Sequence, residues 1–178
     1  MKSVLILYMS RQGHTARIAR RICESIAAAE GHAEMMDINE AVHEGVDWHR
    51  YDVVALGAPV LYGTYDKDFL AFVAAHKDEI DRKPNSFFNV SVVARVPEKS
   101  TVDGNRYMQK FLEISPWRPK DLKVIAGKVD DPSWPWHERF MIRMIMKMTD
   151  GPTDTSAVID YTDWEDVRAY GRHLLSLS

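Results

Sequence analysis

A polar hexapeptide, Ser10-Arg11-Gln12-Gly13-His14-Thr15, interrupts the chain between an apolar run and a helical pattern. Short hydroxyl side chains and a glycine allow backbone N–H groups to turn inward, and the N-terminus of the following helix adds unpaired donors and partial positive charge. This combination can hold an anion such as a phosphate. The hexapeptide matches neither G-x-G-x-x-G nor G-x-x-x-x-G-K-[ST], and an ordinary turn capped by Ser10 or Thr15 remains the alternative.

A second informative set of residues lies near the C-terminus, where prolines and a glycine flank a basic, methionine-rich stretch. The pattern predicts an inserted segment at about residues 130–153, here called the insert, which carries an amphipathic helix at about 137–149. Arg139, Arg143 and Lys147 fall on one stripe of this helix. Met141, Met144, Ile145 and Met148 are expected opposite that stripe, and Phe140, Ile142 and Met146 on its flanks. Three arrangements remain open: burial against the domain, a seam between copies of a homo-oligomer, and docking on an anionic membrane surface.

The elements that must position these residues alternate between short apolar runs and helical patterns. Strands and helices in alternation predict βαβ units and a parallel sheet with helices on both faces, so the fold class is α/β. Ligands of such sheets bind beyond the carboxyl ends of the strands, where the polar hexapeptide lies. The predicted strands are Val4–Tyr8, Glu34–Ile38, Val53–Gly57, Phe87–Val93 and Leu122–Gly127.

Helices are predicted in four places besides the insert. A capping box, Thr162 to Glu165, marks the start of the last one, with each of the two side chains satisfying the other residue's amide. The segment 40–51 is too short and polar for a full helix. The other predicted helices are Thr15–Ala29, Asp66–Ile80 and Asp103–Glu113.

Composition limits the class of protein. A chain of 178 residues with a net charge of −3 fits a single domain, residues 1–178, and lacks the basic excess of nucleic-acid binders. A single cysteine, Cys23, excludes intrachain disulfides and favours a reducing compartment, and its apolar neighbours favour packing over reactivity. Without an apolar run of about 18 residues, the chain is expected to be cytoplasmic or attached to a membrane surface.

Three loops of the sequence resemble the ligand-binding loops of the flavodoxin-like family. Ser10–Thr15 resembles the [ST]-x-x-G-x-T phosphate loop, Gly57–Gly63 resembles the loop that packs on the flavin ring, and Val93–Pro97 leaves the fourth strand where that family closes the ring's other side. The resemblance implies FMN as cofactor and a doubly wound five-stranded parallel sheet of order 2-1-3-4-5. The FMN-binding residues that it implies are Ser10, Arg11, Gln12, Gly13, His14, Thr15, Ala58, Pro59, Val60, Leu61, Tyr62, Gly63, Val93, Ala94 and Arg95.

Further stretches resemble one branch of that family, the bacterial flavodoxin-type protoporphyrinogen oxidases, also described as quinone-dependent protoporphyrinogen IX dehydrogenases. The matching stretches are Val93–Lys99, Trp117–Pro119, Arg139–Met148 and Tyr161–Glu165. The resemblance implies haem biosynthesis, protoporphyrinogen IX as substrate, a membrane quinone such as menaquinone as electron acceptor, and a peripheral place on the cytoplasmic face of the inner membrane.

A porphyrinogen is a wide apolar ring with two propionates, so such a substrate calls for cationic anchors. The candidate substrate anchors are Arg95, Lys99, Arg118, Arg139 and Arg143. No side chain is assigned to acid–base catalysis, although His14 and His137 are possible. Two alternatives remain open, a flavodoxin-like electron carrier and an NAD(P)H:quinone reductase of the same fold.

Overall fold

The computed structural model describes residues 1–130, 136–148 and 158–178. Its first sheet has five parallel strands in the order β2-β1-β3-β4-β5, which confirms the predicted fold class and strand order. The strands are β1 Ser3–Tyr8, β2 His32–Asp37, β3 Val53–Pro59, β4 Asn85–Ser91 and β5 Leu122–Ala126. The β1, β3 and β4 strands are almost wholly buried, which explains why their sequences read as continuous apolar runs rather than alternating ones.

Helices cover both faces of this sheet. One face packs against α1 and α7, through Ile18, Ile22 and Leu174. The other packs against α2, α3 and α5, where Phe69 and Phe111 meet Phe87 of β4. The helices of the structure, apart from short 3-10 turns, are α1 His14–Ala28, α2 Ile38–Glu44, α3 Lys67–Ala75, α4 Lys77–Asp81, α5 Arg106–Ile114, α6 Trp136–Met148 and α7 Trp164–Leu174.

Cys23 of α1 lies partly buried against the core formed with α7. Burial raises the pKa of its thiol to about 11, so the thiol stays protonated at neutral pH and is a poor nucleophile. Both observations support the packing role expected from the sequence.

Local boundaries differ from the sequence-based expectations at four helices, among them α5, which begins at Arg106 rather than at Asp103. The helix expected over 66–80 is broken at His76 into α3 and α4, and the polar segment after β2 begins with the two-turn helix α2. The capping box is wrong, because the N-cap of α7 is Asp163, whose side chain accepts a hydrogen bond from the backbone N–H of Asp166. The carboxylate of Asp163 thus satisfies the amide one residue beyond that of Glu165, which the Thr162 hydroxyl was expected to reach.

A two-stranded antiparallel ribbon that the sequence did not predict brackets the insert and moves its bounds from about 130–153 to 131–157. Its strands are β6 Lys128–Asp130 and β7 Val158–Asp160, and the register pairs Lys128 with Asp160 and Val129 with Ile159. We call these six residues the base ribbon. The predicted helix of the insert is present as α6. Among the described residues, no helix has the length and apolar character needed to cross a membrane.

Candidate functional site

A cleft opens at the carboxyl edge of the sheet, beyond the ends of β1, β3 and β4. The cleft is open, and its empty space, counted together with the adjoining solvent, is about 510 Å³. Eight of the fifteen residues expected to bind FMN line it: Ser10, Arg11, Gln12, His14, Thr15, Pro59, Val60 and Leu61. The sequence did not single out five further lining residues, Val90, Ser91, Val92, Gly127 and Lys128.

The polar hexapeptide has the geometry expected of an anion loop. Gly13 adopts a left-handed backbone with φ of 88°, immediately before α1 begins at His14. The Ser10 hydroxyl accepts the Gly13 N–H at 3.1 Å, which holds the turn and leaves the serine O–H proton available to a ligand. Since Gly13 caps α1 without a side-chain hydrogen bond, the first amides of α1 are also available to an anion.

Arg11 joins the hexapeptide to the neighbouring loop. Its guanidinium donates to the Asp66 carboxylate at 2.7 and 3.1 Å, and Asp66 also caps α3 by accepting the Asp68 N–H. Burial alone would raise the pKa of the Asp66 carboxyl, but the hydrogen bonds from Arg11 and the Asp68 amide outweigh burial and lower it. Arg11 is thus held across the rim of the cleft by an ionised partner.

His14 faces the cleft on one side and the segment after the base ribbon on the other. Its Nε2 lies 2.8 Å from the Thr162 hydroxyl, which itself donates to the Ala126 carbonyl at 2.8 Å. Because the hydroxyl proton is used at Ala126, Nε2 must carry the proton and donate to Thr162. Burial lowers the pKa of the imidazole, although Asp160, 3.8 Å from Nε2, acts in the opposite direction. His14 is therefore neutral at pH 7 with its proton on Nε2.

The loop after β3 ends in a tight turn at Leu61–Thr64, where the two end residues exchange backbone hydrogen bonds at 3.0 Å. Its central residues, Tyr62 and Gly63, have φ of 53° and 73°, the left-handed pair of a type I′ turn. Tyr62 lines a neighbouring recess that shares Arg11, Pro59 and Leu61 with the cleft. Its stacking on a flavin stays a prediction.

At the end of β4, the residues that line the cleft are not the ones expected from the sequence. Val92 lines the cleft, whereas Val93 and Ala94 are buried in the core behind it. Ser91 also lines the cleft; it is 3% exposed, and its hydroxyl has no hydrogen-bond partner among the described residues. A buried orphan hydroxyl facing a cleft is an observation that fits a polar ligand atom.

Gly127 and Lys128 reach the cleft because β6 follows β5 after a single residue. A signal for them was available, since residues just beyond any parallel strand lie at the ligand edge. The predicted β4 continued to Val93, so Ser91 was expected in the middle of the strand rather than at its carboxyl end, where it lies in the structure. Both omissions come from strand boundaries that are uncertain by a few residues.

Among the expected substrate anchors whose side chains the structure describes, none lines the cleft. Arg118 donates to the Leu112 and Ser115 carbonyls at the end of α5, which is a helix-capping role, and Lys99 does not line the cleft. Arg95 lies 5.9 Å from the ring of Tyr161, just after the base ribbon. Arg143 is exposed on α6, and the side chain of Arg139 lies outside the described residues, as does that of His137. Their roles in substrate binding stay predictions.

Comparison with known proteins agrees with this geometry. Residues 5–156 match a family model described as a flavodoxin domain. The chain is 39% identical over 174 residues, covering 98% of it and 95% of the relative, to the protoporphyrinogen IX dehydrogenase [quinone] of Escherichia coli K12. A protein of the same name from Leishmania major is 34% identical, covering 97% of this chain and 74% of its own.

Solved structures support the fold alone, since their sequences are distant. Oxidised flavodoxin 1 from Bacillus cereus aligns with a TM-score of 0.50 at 19% identity, covering 98% of each chain. A short-chain flavodoxin associated with a bacterial microcompartment aligns with a TM-score of 0.56 at 12% identity, covering 99% of this chain and 98% of its own.

Proposed function

This chain belongs to the flavodoxin family, and on that basis we propose that it is an FMN-dependent oxidoreductase that converts protoporphyrinogen IX to protoporphyrin IX. The electrons would pass to a membrane quinone such as menaquinone, and the product would serve haem biosynthesis. The observation that carries the proposal is the 39% identity to a protoporphyrinogen IX dehydrogenase [quinone] over 98% of the chain.

The cleft offers groups that fit FMN at both ends. The Ser10 hydroxyl and the first amides of α1, beginning with the backbone N–H of His14, can donate hydrogen bonds to the phosphate. Pro59, Val60 and Leu61 supply apolar contact for a flat ring, and the orphan hydroxyl of Ser91 supplies a partner for one of its polar edge atoms. The cofactor would supply two-electron redox chemistry, while the chain supplies binding and orientation.

Overall, the reaction removes six electrons and six protons from the porphyrinogen, and three quinone molecules accept them in turn as quinols. A cofactor that takes two electrons at a time must therefore be reoxidised three times for each product molecule. The chain must thus meet an apolar dianionic substrate in the same catalytic cycle as a quinone dissolved in the lipid bilayer.

Contact with the membrane is proposed through α6. Phe140, Met144 and Met148 are 62%, 49% and 79% exposed, which is unusual for large apolar side chains spaced four apart on one helix. Exposed Arg143 and Lys147 lie beside them. A helix with adjacent apolar and basic surfaces suits the headgroup region of an anionic bilayer. We therefore propose that the protein is peripheral on the cytoplasmic face of the inner membrane.

The decisive experiment mixes FMN-loaded protein anaerobically with protoporphyrinogen IX. The visible absorbance of oxidised flavin should bleach as porphyrin fluorescence appears, and menaquinone should restore the absorbance. NADPH serves as the matched alternative reductant. Bleaching by NADPH but not by porphyrinogen would replace the proposal with a quinone reductase. Failure of both reductants, together with reduction by a partner reductase, would favour an electron carrier.

A further inference from the structure

The base ribbon is where the insert joins the domain. β6 ends at Asp130 and β7 begins at Val158. In the sequence, residues 131–157, which contain α6, therefore connect the two strands of the ribbon. The three register pairs hold these strands side by side. Both ends of the insert are attached to this ribbon, so a shift of the ribbon also shifts the point where the insert joins the domain.

The same ribbon is fixed to the wall of the cleft. Gly127, just before it, and Lys128, its first residue, both line the cleft. Directly after the ribbon, the Tyr161 N–H donates to the Gly127 carbonyl at 3.1 Å, and the Thr162 hydroxyl donates to the Ala126 carbonyl at 2.8 Å. Both strands are thus anchored at the end of β5, beside the cleft.

A third connection reaches the hexapeptide. The His14 Nε2 donates to the Thr162 hydroxyl at 2.8 Å, and Thr162 is held in place by its own N–H, which donates to the Asp160 carboxylate at 3.0 Å. Trp164 donates its indole N–H to the other oxygen of that carboxylate at 3.1 Å. Asp160, the last residue of β7, thereby connects the ribbon to the residue that bonds the hexapeptide.

We propose that the base ribbon couples occupancy of the cofactor cleft to the insert, and that Thr162 is the positioning residue that transmits this coupling from His14. The proposal rests on the function proposed above. A phosphate held by the hexapeptide fixes the position of His14. A fixed His14 favours the ribbon position in which the Thr162 hydroxyl accepts a hydrogen bond from His14 Nε2. Because coupling free energies are reciprocal, a partner that engages the insert must in turn change cofactor affinity.

Hydrogen exchange tests this coupling without any measurement of activity. The probe is the peptide 158–164, which contributes no lining residue to the cleft and contains the hydrogen-bonded amides of Tyr161 and Thr162. In the full-length protein, saturation with FMN should slow exchange of this peptide by about fivefold or more, within the usual range of allosteric coupling. Unchanged exchange in the wild type on FMN saturation would overturn the proposal, whatever the variants do.

Three variants separate coupling from general stability. Thr162→Val removes the hydroxyl at nearly constant shape and should abolish the FMN-dependent slowing at full flavin occupancy, whereas Thr162→Ser should restore it. Ser25→Ala is the matched control, because its hydroxyl bonds the Arg168 carbonyl at 2.6 Å and so ties α1 to α7 away from the ribbon. It should keep the wild-type response.

Retention of the full FMN response in Thr162→Val, or its loss in Ser25→Ala, would show that Thr162 does not transmit the coupling. FMN-dependent slowing with no porphyrinogen oxidation would leave the coupling standing and remove only the proposed substrate. Failure of FMN to bind at all would overturn both the coupling and the proposed FMN-dependent function.

Discussion

Gly13 occupies a left-handed backbone conformation, with φ of 88°, at the centre of the candidate phosphate loop. A Cβ built on this residue meets no atom within 4 Å, so the requirement for glycine is conformational rather than steric. Gly45 provides a natural comparison, because it also has a positive φ, of 77°, and open space around a built Cβ, but it ends α2 away from the cleft.

Replacing each glycine by alanine should separate strain from ligand binding. Gly13→Ala should lower the free energy of unfolding by about 1–2 kcal/mol, the usual penalty for an L-residue in the left-handed helical conformation. Gly45→Ala should lower it by about 1–3 kcal/mol, because its ψ of 170° places it in a region essentially restricted to glycine. Gly13→Ala alone should also weaken FMN binding by about tenfold or more, because relaxation of the turn moves the amides around the phosphate. Urea denaturation and fluorescence titration measure the two effects. Equal FMN affinity in Gly13→Ala and the wild type would contradict the loop assignment.

The surroundings of His14 alter its protonation. Burial lowers its pKa below the ordinary value of 6.5, whereas in the unfolded chain the imidazole titrates normally. Between the two pKa values the unfolded state binds more protons than the folded state. The contribution of neutral His14 to stability is therefore complete above pH 6.5 and is lost as the pH falls below it.

A pH series of urea denaturation on the FMN-free protein should show this loss. The free energy of unfolding should fall as pH decreases from about 7 to about 5, and His14→Gln should reduce that dependence because glutamine does not titrate. His43→Gln, at an exposed position on α2, is the control. An unchanged pH dependence in His14→Gln would contradict a lowered pKa of His14 in the folded protein.

At the level of elements, α6 differs from every other helix of the domain in what it leaves exposed. At about 100° per residue, Phe140, Met144, Met148 and Met141 cover one arc, and Arg143 and Lys147 lie directly beside that arc. The exposed set spans roughly 160° of the helix circumference. This surface is the physical reason to expect a lipid interface rather than free solvent on that side.

Neutralising the basic pair should weaken binding to anionic vesicles. Each basic residue near such a surface contributes about 1 kcal/mol, so Arg143→Gln with Lys147→Gln should reduce co-sedimentation by about tenfold or more. The matched control is Arg168→Gln with Arg172→Gln, the same charge change at the same spacing on α7, where both arginines pair with Glu165. Equal losses in the two double variants would indicate a net-charge effect and would contradict docking through α6.

At the scale of the whole molecule, the N-terminal segment contacts the segment after α7. The Lys2 ammonium donates to the Leu175 carbonyl at 3.0 Å and to the Leu177 carbonyl at 2.5 Å, so the N-terminal strand holds the end of α7. The two cores lie on opposite faces of one sheet. These contacts support the proposal of a single domain over residues 1–178, with the insert as an addition at one edge.

Removal of the insert tests that organisation. Because Asp130 and Val158 pair across the base ribbon, an Asn-Gly turn replacing residues 131–157 can join the strands as a hairpin. The shortened chain should unfold cooperatively and should still bind FMN, because the described part of the insert contributes no residue to either core or to the cleft. It should no longer bind anionic vesicles. A shortened chain that fails to fold would show that the insert is part of the domain core.

Sequence patterns by themselves determined the sheet, the amphipathic helix and the loop that begins at Ser10, because buried parallel strands and helical stripes leave direct periodic signals. Short elements were missed. The three-residue strands of the base ribbon carry too few residues for a periodic signal, and His76 interrupts a pattern that reads as one continuous helix. The N-cap of α7 was displaced by one residue, because Thr162 and Asp163 are both good capping residues.

Tertiary structure alone decided which residues share the cleft. Ser91 and Lys128 are 37 positions apart in the sequence, and His14 meets Thr162 at a separation of 148. No local pattern specifies such pairs, because they arise only when parallel strands align their carboxyl ends and β6 continues from the end of β5. The sequence determined that a ligand edge exists and which loop opens it, and packing of the sheet and ribbon determined which side chains complete it.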